Sequence, residues 1–310
     1  MDQQTPASRS SLHPIIELLR PNQWVKNVVV WAGPAAGLKL FAADAFASVF
    51  AAFAAFCLAA SGIYAINDCL DRHADASHPT KRSRPVARGA VSPATASALG
   101  VGLILASGLI AYFLAGHAVT WVILLYVALQ LAYSMVLKEF ILLDVIVIAI
   151  GFVLRAWAGS LAVGVTASAW LVTCMFTLCL FMGFGKRRCE LAMIGNSGDA
   201  GRHRRTLLHY TPDLLNHLLT VSAGIAIMTF LLYTMDASVP APFPKKQLFF
   251  TLPIVVYGVF RFALVSELGL YSGPTEIVLH DRPLLVAILL WALCALGIVY
   301  QDSLLHGAHT

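Results

Sequence analysis

Apolar stretches long enough to cross a membrane recur along the whole chain, and they restrict its possible folds more than any other feature. A spanning helix needs about 20 predominantly apolar residues. Such segments lie near 24–40, 43–66, 95–114, 118–136, 141–163, 168–185, 214–235, 247–265 and 284–301. The alternation of polar and apolar residues typical of transmembrane barrels is missing from the sequence. The sequence therefore predicts an all-α, polytopic membrane protein with nine transmembrane helices.

The distribution of basic residues predicts how this bundle is oriented. With the amino terminus inside, 16 of the 21 Lys and Arg residues fall on the cytoplasmic side and three on the outer side. Inner connections are long and polar, at 67–92, 186–212 and 266–283. Because basic residues favour the cytoplasmic side, we expect a bacterial inner-membrane protein whose active site faces the cytoplasm. The net charge of +5 follows from this topology and indicates no nucleic-acid partner.

No linker, charge block or change in composition divides the chain. Residues 1–14 are polar and rich in serine, and we expect them to be mobile. Residues 15–310 are expected to form a single transmembrane catalytic domain. Small residues in the third span, Gly100, Gly102 and Gly108, permit close packing of helices. Their partner is either this chain or a second copy, so a homo-oligomer is left open.

The segment 67–75 concentrates polar groups at the inner end of an apolar span. On a helix, Asn67, Asp71 and Asp75 repeat at i, i+4 and i+8, and Asp68 precedes Asp71 by three residues. All four therefore share roughly one face. Stacked carboxylates repel one another, and a hard divalent cation such as Mg²⁺ would supply the counter-charge. Cations suited to phosphate oxygens follow closely in the sequence: Lys81, Arg82, Arg84 and Arg88. Together these groups predict an enzyme acting on a diphosphate.

A second polar cluster joins the fourth and fifth spans and contains Tyr133, Lys138 and Asp144. Arg155 follows Asp144 by eleven residues, which places both side chains on the same face of one helix. An arginine at this depth in a membrane is costly and faces a cavity or a partner. Two interpretations remain open for Arg155. It either lines a polar substrate pocket or forms a salt bridge with another helix.

Further candidate residues lie at the end of the sixth span. Lys186 and Arg187 are close enough to the helix end to turn inward towards a substrate. Arg188 is better explained as a positive-inside anchor. The run at 202–205 is interpreted as a solvated face or a contact with lipid headgroups.

The residues before the ninth span have mixed interpretations. Asp281 is well placed to cap that helix, with Pro283 in its first turn. Arg282 is less easily explained by structure and is a candidate for substrate binding. Arg261, near the inner end of the eighth span, either reaches lipid headgroups or contacts a substrate.

These motifs resemble those of a known family. The pattern N-D-x-x-D-x-x-x-D at 67–75, followed by K-R-x-R-P at 81–85, resembles the first aspartate-rich motif of the UbiA superfamily of intramembrane prenyltransferases. Four more segments resemble its branch of decaprenyl-phosphate phosphoribosyltransferases: LRPNQWVKN at 19–27, GFVLRA at 151–156, GKR at 185–187 and DRPL at 281–284. The resemblance implies a nine-helix bundle with a cytoplasmic active site.

The resemblance also implies a reaction, namely transfer of a 5-phosphoribosyl group from phosphoribosyl diphosphate to a polyprenyl phosphate. Diphosphate is released, and the product feeds the synthesis of arabinose donors for the cell envelope. Mg²⁺ would be held by Asp68, Asp71 and Asp75, and the expected catalytic residues are Asp68, Asp71 and Asp144. Asp144 would stabilise the anomeric carbon, orient the ribose or act through a metal. The expected substrate-binding residues are Asn67, Lys26, Lys81, Arg82, Arg84, Tyr133, Lys138, Arg155, Lys186, Arg187 and Arg282.

Two other functions compete with this one. The first is prenylation of an aromatic acceptor, in which a lipid diphosphate would occupy the metal site. The second is transport of an anionic lipid or metabolite, for which paired Gly/Pro interruptions in two related halves would be expected. Gly33 and Pro34 interrupt the first span, and the second half of the sequence offers no counterpart.

Overall fold

The computed structural model describes residues 13–40, 42–77, 81–197, 209–235, 245–271 and 273–306. Residues 1–12 and 202–205, for which mobility and a solvated face are expected, lie outside these ranges. Within them, all regular structure is helical. Helices α1 to α12 are Pro14–Leu19, Ala32–Ala36, Ala43–Leu70, Arg72–Ala76, Pro93–Ile110, His117–Met135, Leu143–Ala162, Ala169–Ser197, Pro212–Met235, Leu252–Leu268, Pro274–His280 and Arg282–His306.

Short helices of other types connect or extend these elements. The 3₁₀ helices are Pro21–Trp31, Lys81–Ser83, Leu137–Glu139 and Lys245–Thr251, and one turn of π-helix, Ala111–Ala115, continues α5. The first 3₁₀ helix ends at Trp31 and α2 begins at Ala32, so no loop separates them.

Eight helices in the described part of the chain are long and apolar enough to cross a membrane. They match eight of the nine expected spans and confirm the prediction of an all-α membrane protein. Their bounds are Ala45–Leu70, Pro93–Ala115, His117–Met135, Leu143–Ala162, Ala169–Met193, Pro212–Met235, Gln247–Leu268 and Arg282–Tyr300.

The first expected span, 24–40, is not one long α-helix. It consists of the 3₁₀ helix Pro21–Trp31 and the short α2. Valine, a β-branched residue with low helix propensity, occupies 25 and 28–30. A 3₁₀ helix rises about 2.0 Å per residue, so the 11 residues of 3₁₀ helix and five of α2 reach roughly 30 Å. That length is close to the thickness of a bilayer's hydrocarbon core. A ninth crossing through this segment stays a prediction.

Two long helices extend beyond their expected ends and carry polar groups with them. Helix α3 continues to Leu70, and the Asp71 amide then bonds the Asn67 carbonyl at 2.9 Å. Helix α8 continues through 186–197, where a loop was expected. The α8 extension is rich in lysine, arginine, glutamate, leucine and alanine, which are good helix formers. The candidate site residues at both places therefore lie on rigid helices.

Two apolar cores stand side by side and meet at α7. The first contains residues of α3, α6 and the segment around Val30. The second contains residues of α8, α9 and α10. Helix α7 supplies Leu154 and Ala158 to the first core and Val145 to the second. This helix is therefore the shared wall of the two halves, and its amino-terminal end lies beside the candidate site.

Glycines allow the backbones to approach closely at two of these interfaces. A Cβ at Gly62 of α3 would lie 2.6 Å from the Gly100 carbonyl of α5. A Cβ at Gly159 of α7 would lie 1.7 Å from the Val30 carbonyl. Small residues serve this purpose throughout membrane proteins. Gly100 thus packs within the chain, whereas a Cβ at Gly102 or Gly108 would meet nothing within 4 Å.

Substitution of Gly159 by alanine is expected to destabilise the protein, because the new methyl group would overlap the Val30 carbonyl. Overpacking of this kind costs about 1–3 kcal/mol. Thermal unfolding in detergent measures the effect. The control is Gly102→Ala, which meets open space and should be neutral or slightly stabilising, since alanine favours a helix over glycine. Equal melting temperatures for the two variants would contradict the close approach of α7 to residue 30.

Candidate active site

The acidic residues at 67–75 lie on one nearly continuous helical track at the end of α3. The Asp75 amide bonds the Asp71 carbonyl at 2.8 Å, so the i to i+4 pattern passes from α3 into α4. The Asn67 side chain donates to Asp71 Oδ2 at 3.0 Å. Asp68 and Asp75 are buried, and both contact Arg84. The four predicted residues therefore form two adjoining pairs, Asn67 with Asp71 and, through Arg84, Asp68 with Asp75. We call these four residues the acid array.

Three cations neutralise the acid array in this structure. Arg84 Nη1 lies 2.6 Å from Asp75 Oδ2 and 3.2 Å from Asp68 Oδ1. Lys138 Nζ lies 2.6 Å from Asp71 Oδ1. The third cation is Arg20, described below. Two of these cations, Arg84 and Lys138, are candidate substrate-binding residues from the sequence, and Lys138 brings the second polar cluster into contact with the first.

Arg20 is the site residue that sequence reasoning missed. Its Nη2 lies 2.5 Å from Asp68 Oδ1, and its guanidinium lies 5.0 Å from the centroid of the Tyr64 ring. The backbone at Arg20 is left-handed, with φ 52° and ψ 59°, between α1 and the helix starting at Pro21. The residue lies within the recognised stretch 19–27. Sequence spacing gives no indication of its reach, because the left-handed turn decides where the side chain goes.

One oxygen of the acid array has the properties of a cation ligand. Asp68 Oδ2 is buried and has no hydrogen-bond partner, whereas Asp68 Oδ1 receives both arginines. Buried polar atoms without partners are rare and call for an explanation. Carboxylate oxygens suit hard cations such as Mg²⁺. Among the described residues, no three acidic, His or Cys side chains already converge on one point. The residues fit a metal by chemistry, and binding would require the arginine contacts to rearrange.

Arg155 is a buried cation whose partners are all neutral. It donates to Asn27 Oδ1 at 2.7 Å, to the Gly151 carbonyl at 2.8 Å and to the Tyr126 hydroxyl at 2.7 Å. The rings of Phe56, Phe152 and Tyr126 lie 4.6–5.8 Å from the guanidinium. Its positive charge is therefore held by dipoles and aromatic faces.

Neither predicted carboxylate contact of Arg155 is present in the described part of the chain. No acidic side chain lies within salt-bridge distance of Arg155 there, so the alternative of a salt bridge with another helix is not supported. The face that Arg155 shares with Asp144 brings no contact between them, because Asp144 pairs with Arg187. The physical reason is local: the carbonyl one turn earlier and the side chains of Asn27 and Tyr126 satisfy the guanidinium. An interior cation without a counter-ion favours the binding of an anion.

Asp144 has a different cation as its partner. Arg187 Nε lies 2.8 Å from Asp144 Oδ2, and both side chains are almost completely buried. The angles at this contact do not meet hydrogen-bond geometry, so the interaction is one of charges at close range. Arg187 Nη1 also contacts Glu190 at 2.5 Å. Asp144 Oδ1 accepts a hydrogen bond of 2.9 Å from the Tyr210 hydroxyl. Asp144 is thus sealed from solvent within an ion network.

The lysines of the candidate site are less deeply enclosed. Lys186 is 43% exposed and lies 3.8 Å from Glu190, one helical turn further on. Lys26 is half-buried and lies close enough to Arg155 and Arg20 to be repelled by their positive charges. Lys186 in turn interacts electrostatically with Lys26 and with Tyr133. These interactions place several positive side chains around the same interior region.

The remaining predicted residues lie at the periphery. Lys81 is half-buried, whereas Arg82 and Arg282 are exposed. Arg261 forms two hydrogen bonds with Asp281, of 3.0 and 2.8 Å. Asp281 also accepts from the Leu284 amide at 2.9 Å, which confirms its capping role. The Arg261 hydrogen bonds hold the pKa of Asp281 below its usual value, and Arg261 thus has a carboxylate partner within the chain.

An all-helical membrane bundle with an aspartate-rich track at one end of its first long helix, α3, defines a class of intramembrane enzyme. Residues 28–276 match the UbiA prenyltransferase family. The chain belongs to this family, as its motifs led us to expect.

Relatives with a particular activity are similar over most of the chain. A decaprenyl-phosphate phosphoribosyltransferase from Mycolicibacterium smegmatis is 36% identical, over 89% of this chain and 89% of the relative. Another from Corynebacterium glutamicum is 36% identical, over 92% of this chain and 86% of the relative. The resemblance inferred from five short motifs is confirmed by these longer matches.

Solved structures confirm the fold. A UbiA homolog from Archaeoglobus fulgidus, bound to DMAPP and Mg²⁺, superposes with a TM-score of 0.70 at 16% identity. The match covers 92% of this chain and 98% of that chain. At this level of identity the likeness establishes the architecture alone.

Proposed function

We propose that this protein transfers the 5-phosphoribosyl group of phosphoribosyl diphosphate to a polyprenyl phosphate in the membrane. The observation that carries the proposal is the 36% identity to relatives named decaprenyl-phosphate phosphoribosyltransferase over about nine-tenths of the chain. The site chemistry supports it, because one acid array and many cations suit a soluble donor that bears both a diphosphate and a 5-phosphate. A lipid acceptor explains why the enzyme is built within a membrane.

The reaction exchanges one bond for another at the anomeric carbon of ribose. The C1–O bond to diphosphate breaks, its electron pair leaves with diphosphate, and an oxygen of the lipid phosphate bonds to C1. Mg²⁺ held by Asp68, Asp71 and Asp75 would offset the negative charge of the leaving group. Arg20, Arg84 and Lys138 already face these carboxylates and are placed to bind the phosphates. The lipid phosphate is anionic, so the transfer needs no strong base.

The acceptor phosphate is proposed to bind on the Arg155 side of the site. The Arg155 guanidinium has neutral partners only among the described residues, and Lys26 and Lys186 supply further positive charge near it. Asp144 is enclosed by Arg187 and Tyr210. Its role is therefore better explained as holding the loop that precedes α7 than as direct contact with ribose.

The location of the site is proposed from charge. Sixteen basic residues on one side against three on the other favour an inner-membrane protein whose acid array faces the cytoplasm. This orientation would give phosphoribosyl diphosphate direct access from the cytosol. Cysteine accessibility tests it with a membrane-impermeant thiol reagent on intact cells, with single cysteines placed at Ser77, beside the acid array, and at His117, the exposed first residue of α6. Labelling at position 77 and not at position 117 would mean that the orientation is the reverse of the proposed one.

One experiment tests the reaction itself. Purified protein is incubated with polyprenyl phosphates of several lengths, Mg²⁺ and phosphoribosyl diphosphate labelled in the ribose, and label extractable into organic solvent is counted. Transfer of label to lipid is the expected result. A parallel reaction contains labelled prenyl diphosphate and an aromatic acceptor. If product forms only in that second reaction, the protein is an aromatic prenyltransferase and the proposed phosphoribosyl transfer is wrong.

A further inference from the structure

Tyr210 joins two parts of the molecule that are distant in sequence. It is buried just before α9, and its hydroxyl donates to Asp144 Oδ1 at 2.9 Å. The same hydroxyl accepts a hydrogen bond of 2.8 Å from the Leu142 amide. Burial raises the pKa of Tyr210 to about 12, so the phenol keeps its proton and remains a donor at neutral pH. Nothing in the motif analysis drew attention to this residue.

The residue that Tyr210 holds has an unusual backbone. Leu142, at the start of α7, has φ 67° and ψ −45°. A residue with a side chain rarely adopts positive φ, and such a conformation persists only where its surroundings fix it. The Tyr210 hydroxyl supplies such a constraint, since it binds the Leu142 amide directly.

Leu142 is the last residue of a short segment, 137–142, that reaches the acid array. The 3₁₀ helix Leu137–Glu139 lies between α6 and α7, and the Phe140 amide bonds the Leu137 carbonyl at 3.2 Å. This segment carries Lys138, whose Nζ lies 2.6 Å from Asp71 Oδ1. Only three residues therefore separate Lys138, the cation that faces the acid array, from the anchored backbone of Leu142.

We propose that Tyr210 is a positioning residue for diphosphate binding: by fixing the Leu142 backbone and Asp144, it holds the 137–142 segment so that Lys138 faces the acid array. Among the described residues, its hydroxyl bonds Leu142 and Asp144, so it acts on Lys138 through the segment. This inference rests on the proposed function only in requiring that a diphosphate binds at the acid array.

The test removes one oxygen atom. Tyr210→Phe keeps the aromatic ring in its apolar surroundings and deletes the hydroxyl that bonds Leu142 and Asp144. The matched control is Tyr300→Phe, because the Tyr300 hydroxyl also accepts from a backbone amide, that of Leu40, at 3.1 Å. Melting temperatures of both variants establish that they fold.

Two measurements then report on the segment and on the site. Hydrogen–deuterium exchange of the protein without ligands should be at least tenfold faster in 137–142 for Tyr210→Phe and unchanged there for Tyr300→Phe. The dissociation constant of the protein for inorganic diphosphate in the presence of Mg²⁺ is measured by calorimetry. It should rise at least fivefold in Tyr210→Phe and stay unchanged in Tyr300→Phe. Unchanged exchange in the segment, or unchanged diphosphate affinity, would overturn the proposal.

A double-mutant comparison separates positioning from general loosening. Lys138→Met should itself weaken diphosphate binding about tenfold, and adding Tyr210→Phe to it should weaken binding no further. Effects that multiply would mean that Tyr210 acts independently of Lys138, and the proposal would fall. Because inorganic diphosphate is the probe, an absence of phosphoribosyl transfer in the wild-type protein would refute the proposed function without deciding this result.

Discussion

Substitution of Asp68 by asparagine should abolish transfer while leaving the fold intact. Asp68 has one buried oxygen without a partner and one that faces Arg20 and Arg84. Asparagine keeps the shape and removes the charge that a metal needs. A Lewis-acid contribution of several kcal/mol corresponds to at least a roughly thousandfold loss of rate. Single-turnover assays with labelled donor measure it, and calorimetry should show a parallel loss of Mg²⁺ affinity.

The fold should survive this change because the two arginines remain partly hydrated, with side chains 23% and 22% exposed. Arg84 also keeps its contact with Asp75. Asp213→Asn is the matched control, since it neutralises an exposed carboxylate in the first turn of α9. Chelation should stop the wild-type reaction, and Mg²⁺ should restore it. Wild-type turnover of Asp68→Asn at limiting Mg²⁺ would show that the metal assignment is wrong.

Arg155→Met should slow transfer at least tenfold, about 1.4 kcal/mol, with a limited cost in stability. Methionine keeps much of the length and apolar bulk but removes the charge proposed to bind the acceptor phosphate. The Asn27 and Tyr126 oxygens lose a donor, which costs about 1–3 kcal/mol. Breaking a buried ion pair would cost more, about 3–5 kcal/mol, and Arg155 has no carboxylate partner in the described residues. Turnover and thermal unfolding are measured side by side.

Two further variants separate the charge of Arg155 from its contacts. Tyr126→Phe removes one acceptor of the guanidinium but keeps its charge, so transfer should fall much less than in Arg155→Met. Arg155→Lys retains a positive charge without the planar fork, and we expect intermediate activity with a raised KM for the lipid. An unstable Arg155→Met protein with normal turnover per folded molecule would assign Arg155 to the fold alone.

Eight of the nine predicted spans, and the spacing of the acid array, agree with the structure because both follow from local regularities. Apolar runs of about 20 residues can satisfy their backbone groups in lipid only as helices, and i, i+4 spacing places Asn67 and Asp71 in contact. Helix type was harder to predict. The valines of the 24–31 stretch disfavour an α-helix but do not specify a 3₁₀ helix in its place.

Partners across helices were the part that the sequence did not reveal. Periodicity placed Arg155 on the same face as Asp144, but the cation that reaches Asp144 is Arg187 from the next helix. Spacing along one helix defines a face and cannot identify which neighbour faces it. The role of Arg20 was not predicted for a related reason. Its partner Asp68 lies 48 residues away in the sequence, and their contact depends on the left-handed turn at Arg20.

The pairing of three carboxylates with three cations in the acid array has a consequence for the order of binding. The resting site is formally neutral, so it attracts neither a free divalent cation nor a free anion strongly. Mg²⁺ alone would meet three positive side chains, and diphosphate alone would meet three carboxylates. A magnesium–diphosphate complex satisfies both sets at once. The two ligands should therefore bind with positive thermodynamic coupling, each raising the affinity of the other by the same factor. Titration of Mg²⁺ with and without diphosphate measures that factor, and a value of one would mean that the two ligands bind independently.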